Sequence, residues 1–274
     1  MLRTALVATT FSAAFVFANP AAADDADALF DALGLPDIID VMRQEGIAYG
    51  AQIGSALFPN RVKPTWAATV ATIYDGEVMH DTVRAEFNAV IEGADVASML
   101  AFFQSEPGQS IIELEVSARR ALLDDAVDVA SKEAAKIAQT DNTERFQLIE
   151  DFAAANDLVE TNVADAMNAN MAFYMGLTDG GAFDDALTEG QILANVWDQE
   201  PDIRANTSDW VYSFLLLAYD PLSDEDIAAY TAFSNTDAGA ALNAALFSSF
   251  DDMSDGISFA LGREAARTMA SQDL

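Results

Sequence analysis

Few kinds of chemically active side chain are present in this 274-residue sequence, which has no Cys and a single His, His80. A thiolate nucleophile, a Cys-held metal or haem, and any disulfide are therefore ruled out. A Ser-His-Asp relay or a two-His metal site would have one imidazole at most to draw on. His80 lies between Met79 and Asp81 in a helical stretch, where a solvated or structurally bonded imidazole is expected. No G-x-S-x-G, H-E-x-x-H, P-loop or G-x-G-x-x-G spacing occurs. Carboxylates are what the chain has in quantity. They are grouped as Asp124-Asp125, Asp184-Asp185, Asp224 with Asp226, and Asp251-Asp252 with Asp255. Such groups bind calcium or work as general acids and bases. Neighbours on a helix diverge by about 100°, so adjacent acids make no site by themselves, and a solvated acidic face is expected for each group. Asp251 and Asp255 share a helix face, which makes Asp251, Asp252 and Asp255 the best cation candidates. The Gly180-Gly181 loop lacks the alternating acids of an EF-hand. No catalytic residue and no cofactor is assigned, and the metal set stays open.

The elements that would position these groups are helices. Apolar residues recur every three or four positions and hardly ever alternate, so an all-α, multi-helix bundle is predicted and no sheet. Pro36 opens a helix carrying Ile38, Val41 and Met42, with Gly46, Gly50 and Gly54 four apart on one side to admit a close neighbour. Pro59 ends it. Pro64 to Tyr74 is a short helix with Trp66 and Val70. Met79, Val83, Phe87 and Ile91 form the stripe of the next, and Gly93 caps it. Asp95 begins a helix that ends at Phe102 and Phe103. Ser105 caps its successor, which tolerates Pro107 in its first turn. That successor would run from Glu106 to about Ala138 on a buried stripe of Ile111, Leu114, Ala118, Leu122, Val129 and Ile137, with a break near Asp124-Asp125. Beyond it lie helices from Glu144, from Leu158, from Thr188 to Trp197 and from Pro201 to Tyr219. Two more follow, capped by Ser223 and Thr236. Core positions are expected for Trp66, Trp197 and Trp210.

One helical hairpin occurs twice. Phe102, Ser105 and Gly108 are matched by Phe233, Thr236 and Gly239 at an offset of 131 residues, which also places Trp66 on Trp197 and Asp95 on Asp226. Two related halves follow, residues 24–140 and 141–274, divided at Thr140-Asp141-Asn142.

The first 23 residues read as a signal peptide: Arg3, an apolar run from Ala5 to Phe17, the Asn19-Pro20 break, and Ala21-Ala22-Ala23 as the cleavage site. The expected location is the periplasm, with an acidic, frayed start from Asp24 to Gly34. No stable membrane insertion is expected after cleavage, because no later run reaches the ~20 apolar residues a bilayer requires. With 51% hydrophobic residues and a mean hydropathy of +0.13, the chain can fill a large core without staples. Removal of Arg3 leaves 12 basic against 45 acidic residues, a net charge of −33. Such a surface repels nucleic acid and anionic lipid.

Phe102-Phe103-Gln104-Ser105-Glu106-Pro107-Gly108-Gln109 resembles the F-[FY]-x-[ST]-x-x-G-[QK] signature of bacterial exported proteins of the domain of unknown function 2059 family. Glu106 stands where that family usually has Pro, and Ser234 replaces the second aromatic in the second copy. The resemblance covers some 45 residues around each hairpin. It implies an exported, all-helical protein and supplies no catalytic residue. The leading functional expectation is a binding module, not an enzyme, taking an envelope protein or peptide between its halves. A carboxylate-based or cation-dependent hydrolase and an acidic calcium-binding surface are the alternatives. The oligomeric state is not set by the sequence.

Overall fold

The computed structural model describes residues 20–58, 64–183 and 187–270, and among these it holds thirteen helices and no strand. The first seven are α1 (Pro20–Ala32), α2 (Leu35–Leu57), α3 (Pro64–Ile73), α4 (Gly76–Val90), α5 (Val96–Phe103), α6 (Glu106–Ala121) and α7 (Asp125–Asp141). The remainder are α8 (Glu144–Ala155), α9 (Leu158–Asp179), α10 (Glu189–Trp197), α11 (Glu200–Tyr219), α12 (Asp224–Ser234) and α13 (Asp237–Ala270). The all-α bundle is as the periodicity predicts.

Short polar side chains start most helices by accepting from a main-chain N–H that the helix leaves unpaired. Asp75 accepts from Val78, Asp95 from Ser98, Ser105 from Gly108 and Ser223 from Asp226. Asp124 does the same for α7, which is the expected break after α6. The glycine stripe of α2 works as a row of notches. A Cβ on Gly46, Gly50 or Gly54 would come within 2.0, 2.5 and 2.5 Å of Tyr74, Val70 and Trp66, the last two on the inward row of α3 and Tyr74 just past its end. Trp66 Nε1 donates to the Gly50 carbonyl at 2.8 Å, so the buried indole N–H is satisfied inside the notch.

The two hairpins have the same local geometry. A Cβ on Gly108 would lie 2.2 Å from the Phe102 carbonyl oxygen, and one on Gly239 would lie 2.2 Å from that of Phe233. Phe102 and Phe233, matched by the repeat, stack on each other with centroids 4.4 Å apart and planes at 13°. Equivalent residues of the two hairpins are thus in direct contact. The helix pairings agree: α1 with α2, α4 and α5 is echoed by α8 with α9, α11 and α12. Gly34 at φ 62 and Asp157 at φ 50 open α2 and α9 in the same left-handed conformation. Their separation is 123 residues, so the repeat extends upstream of the hairpin at a changed offset.

The long helix of each hairpin packs on both halves: α6 lies on α11 as well as α2, and α13 lies on α4 as well as α9. Each of the two cores therefore draws on both sequence halves. One joins Phe30, Trp66, Phe87 and Phe103 to Leu242, Met253 and Leu261 of α13. The other joins Ile111 and Ala118 of α6 to Phe152, Leu215, Tyr219 and Ile227.

Several local expectations are corrected. Residues from Asp24 onward are helical rather than frayed, because Ala26, Leu29, Phe30 and Leu33 insert into the first core. Val129 and Ile137 are 67% and 54% exposed, since α7 turns Ser131 and Ala135 inward. Trp197 is 58% exposed at the end of α10, while Trp210 is half-buried and only Trp66 is fully buried. Residues 1–19 of the expected signal peptide, Pro59 and Asp184-Asp185 lie outside the described residues.

Candidate functional site

This packing leaves a cavity of about 530 Å³ where α2, α6, α8, α9, α11, α12 and α13 meet. None of its lining residues is exposed. Eight are aromatic: Phe152, Trp210, Phe214, Tyr219, Tyr230, Phe233, Phe247 and Phe250. Polar groups are few and fixed. Arg119 donates to both carboxylate oxygens of Glu45, at 2.9 and 2.6 Å, and its guanidinium lies 4.8 Å from the Trp210 ring centroid. The amides of Asn156, Asn162 and Asn243 each donate to a main-chain carbonyl, those of Phe152, Leu158 and Asn156 respectively.

Glu115 projects from α6 into this space. The Tyr219 hydroxyl donates to its Oε1 at 2.5 Å. Protein surrounds Glu115 although part of its surface stays accessible, because that surface faces the cavity. Burial pushes its pKa up to about 7, against a smaller lowering by the Tyr219 hydrogen bond. The Tyr219 and Tyr230 hydroxyls are driven well above their ordinary pKa, first by burial and then by the Glu115 charge.

A second set of acids spans α9 and α13. Burial, then the charges of Asp251 and Asp255, raise Asp165 to about 7. Burial, then Asp251 and Asp252, raise Asp255 to about 6. The Oδ1 atoms of Asp251 and Asp255 are buried and have no hydrogen-bond partner. The expectation of a solvated acidic face thus fails for these two. Asp252 alone of the three is exposed. No group of three or more His, Cys, Asp or Glu side chains among the described residues is arranged to hold a metal ion.

Other residues named from the sequence are dispersed. Phe233 and Gly239 line the cavity, and Phe102 stacks behind Phe233, while Ser105 and Thr236 serve as helix caps. His80 lies outside the cavity, its Nε2 3.7 Å from Asp40 Oδ1. Asp124 caps α7, Asp224 pairs with Arg145, and Asp226 accepts from Ser223. Sequence reasoning missed Glu115 and Asp165. The signal for Glu115 was its place one helical turn after buried Ile111, where an apolar residue would be usual. Asp165 gives no comparable signal.

In chemical terms the site is a partly open aromatic pocket holding carboxyl groups whose pKa values are raised toward neutrality. No family model, curated protein or solved structure matches the chain.

Proposed function

We propose that this protein is a binding module of the cell envelope that holds a small, mostly apolar molecule in the seam cavity. The observation that carries this reading is the cavity: about 530 Å³, aromatic, and without one exposed lining residue. That size and character match sites for small organic molecules, roughly 300–1,000 Å³. A pocket of this volume suits a compact ligand better than a folded protein partner. Export to the periplasm is supported by the Ala5–Phe17 run and the Ala21–Ala23 cleavage pattern, and by the resemblance to the domain of unknown function 2059 family. Among the described residues, no helix is long and apolar enough to cross a membrane. Amino-terminal sequencing of secreted protein should begin at Asp24.

Titration with the neutral fluorophore 1-pyrenemethanol tests the binding reading. Saturable one-to-one binding is expected, and it should be lost when the half-buried lining residue Ala166 is enlarged to Phe. Absence of saturable binding, or binding unchanged in A166F, overturns it. A carboxylate acid–base enzyme is a second reading, favoured by the values near 7 at Glu115 and Asp165. Hydrolysis of 4-nitrophenyl esters that vanishes in both E115Q and D165N would favour it. A calcium-binding surface is tested by melting: unchanged melting in millimolar calcium excludes it.

A further inference from the structure

We infer that the cavity's ligand is a hydrophobic organic cation, an amine whose apolar body lies among the aromatic rings and whose ammonium is met by a carboxylate of the lining, Glu115 or the Asp165–Asp251 pair. This rests on reading the cavity as a ligand site, and the charge of its lining carries it further. Three carboxyl side chains and one guanidinium reach the cavity. The guanidinium is already taken: Arg119 grips Glu45 through two hydrogen bonds and lies over Trp210. An anionic head group would meet no free cation in the lining.

Acceptors, by contrast, remain free. Glu115 is enclosed by protein, its Oε1 receives the Tyr219 hydroxyl, and its Oε2 makes no hydrogen bond among the described residues. Asp251 also lines the cavity, although its Oδ1 is packed away from that space and has no partner. The three lining Asn amides direct a donor to the main chain. Buried acceptors of this kind call for a donor-rich or cationic group. The burial and repulsion that raise Asp165 to about 7 would be relieved by a nearby positive charge. The aromatic rings of the lining suit a cation as well.

The test compares three probes of one shape: 1-pyrenemethylamine, 1-pyrenemethanol and 1-pyrenecarboxylate, followed by fluorescence anisotropy at pH 7.5. Salt near 0.5 M suppresses adsorption of the amine to the acidic surface, because it shortens the screening length to roughly 4 Å. The amine is expected to bind at least about tenfold tighter than the alcohol, the gain typical of one charge-assisted contact, with the carboxylate weakest. That preference should disappear in the double variant Glu115→Gln with Asp165→Asn while alcohol binding persists, which also reports that the variant is folded. Equal binding of amine and alcohol overturns the cation inference and leaves the binding module standing. Tightest binding of the carboxylate, or an amine preference that survives in the double variant or in A166F, overturns it too. If none of the three probes binds, the cavity is not a ligand site and both readings fall.

Discussion

Replacing Glu115 by Gln removes one enclosed charge while keeping an oxygen to accept from the Tyr219 hydroxyl. In the folded protein the Glu115 pKa rises from 4.5 to about 7. Between those values the native state holds a proton that the unfolded chain has released. Stability from this group is therefore complete below pH 4.5 and is lost as pH rises through 7. At ~1.4 kcal/mol per pH unit the full shift would be worth about 3 kcal/mol. Because part of Glu115 faces the cavity, we take about 2 kcal/mol as the working value. The groups near it are Tyr219 on α11, Tyr230 on α12 and Arg119 one turn along α6, and the Asp165 and Asp251 carboxyls line the same cavity. Asp165 and Asp255 titrate in the same direction, but they are common to both proteins and cancel in the comparison. Chemical denaturation at pH 5, 6, 7 and 8 should show the two proteins nearly equal at pH 5 and E115Q more stable by about 2 kcal/mol at pH 8. In thermal melts this corresponds to a rise of about 4–8 °C. A stability difference that stays constant with pH would refute the account of a buried, neutral carboxyl.

Two glycines in helices should respond in opposite directions. Gly176→Ala places a Cβ 2.1 Å from the Phe259 carbonyl oxygen of α13 and should cost at least about 2 kcal/mol, while Gly256→Ala, with open space around it, should gain about 0.5–1 kcal/mol. Arg145 gathers the Tyr219, Asp220 and Leu222 carbonyls at the end of α11, so Arg145→Ala should lose about 1–2 kcal/mol in urea unfolding. A double-mutant cycle between Phe102→Leu and Phe233→Leu should give a coupling of about 0.5–1.5 kcal/mol, and a coupling of zero would remove the ring stack as a link between the hairpins.

Much of this architecture was legible because it is local. Caps such as Asp95, Ser105 and Thr236 act within three residues, and the Met79–Val83–Phe87 stripe needs only the helical period. The glycine row of α2 was legible for the same reason, although its occupants, Tyr74, Val70 and Trp66, could be named only from the fold. Pairing between distant helices was not legible. Nothing within α6 states that it covers α11 as well as α2 of its own half, and the cavity is lined from both halves. Val129 and Ile137 show the limit of periodicity: α7 has two apolar edges, and the inward one belongs to small Ser131 and Ala135. Glu115 and Asp165 look like surface acids until the surrounding helices are in place.

The crossing of α13 onto α4 sets an order in time. A chain made from its amino terminus completes the Met79, Val83 and Phe87 row long before Leu242, Met253 and Leu261 exist to cover it. At synthesis rates of 5–20 residues per second, the 174 residues from Phe87 to Leu261 take about 9–35 s. During that interval the first core is an unfinished surface, aromatic and open, at the stage when a nascent chain is most exposed to other chains. Truncation after α12 would make the interval permanent, since this strip stays uncovered until residue 261 has emerged.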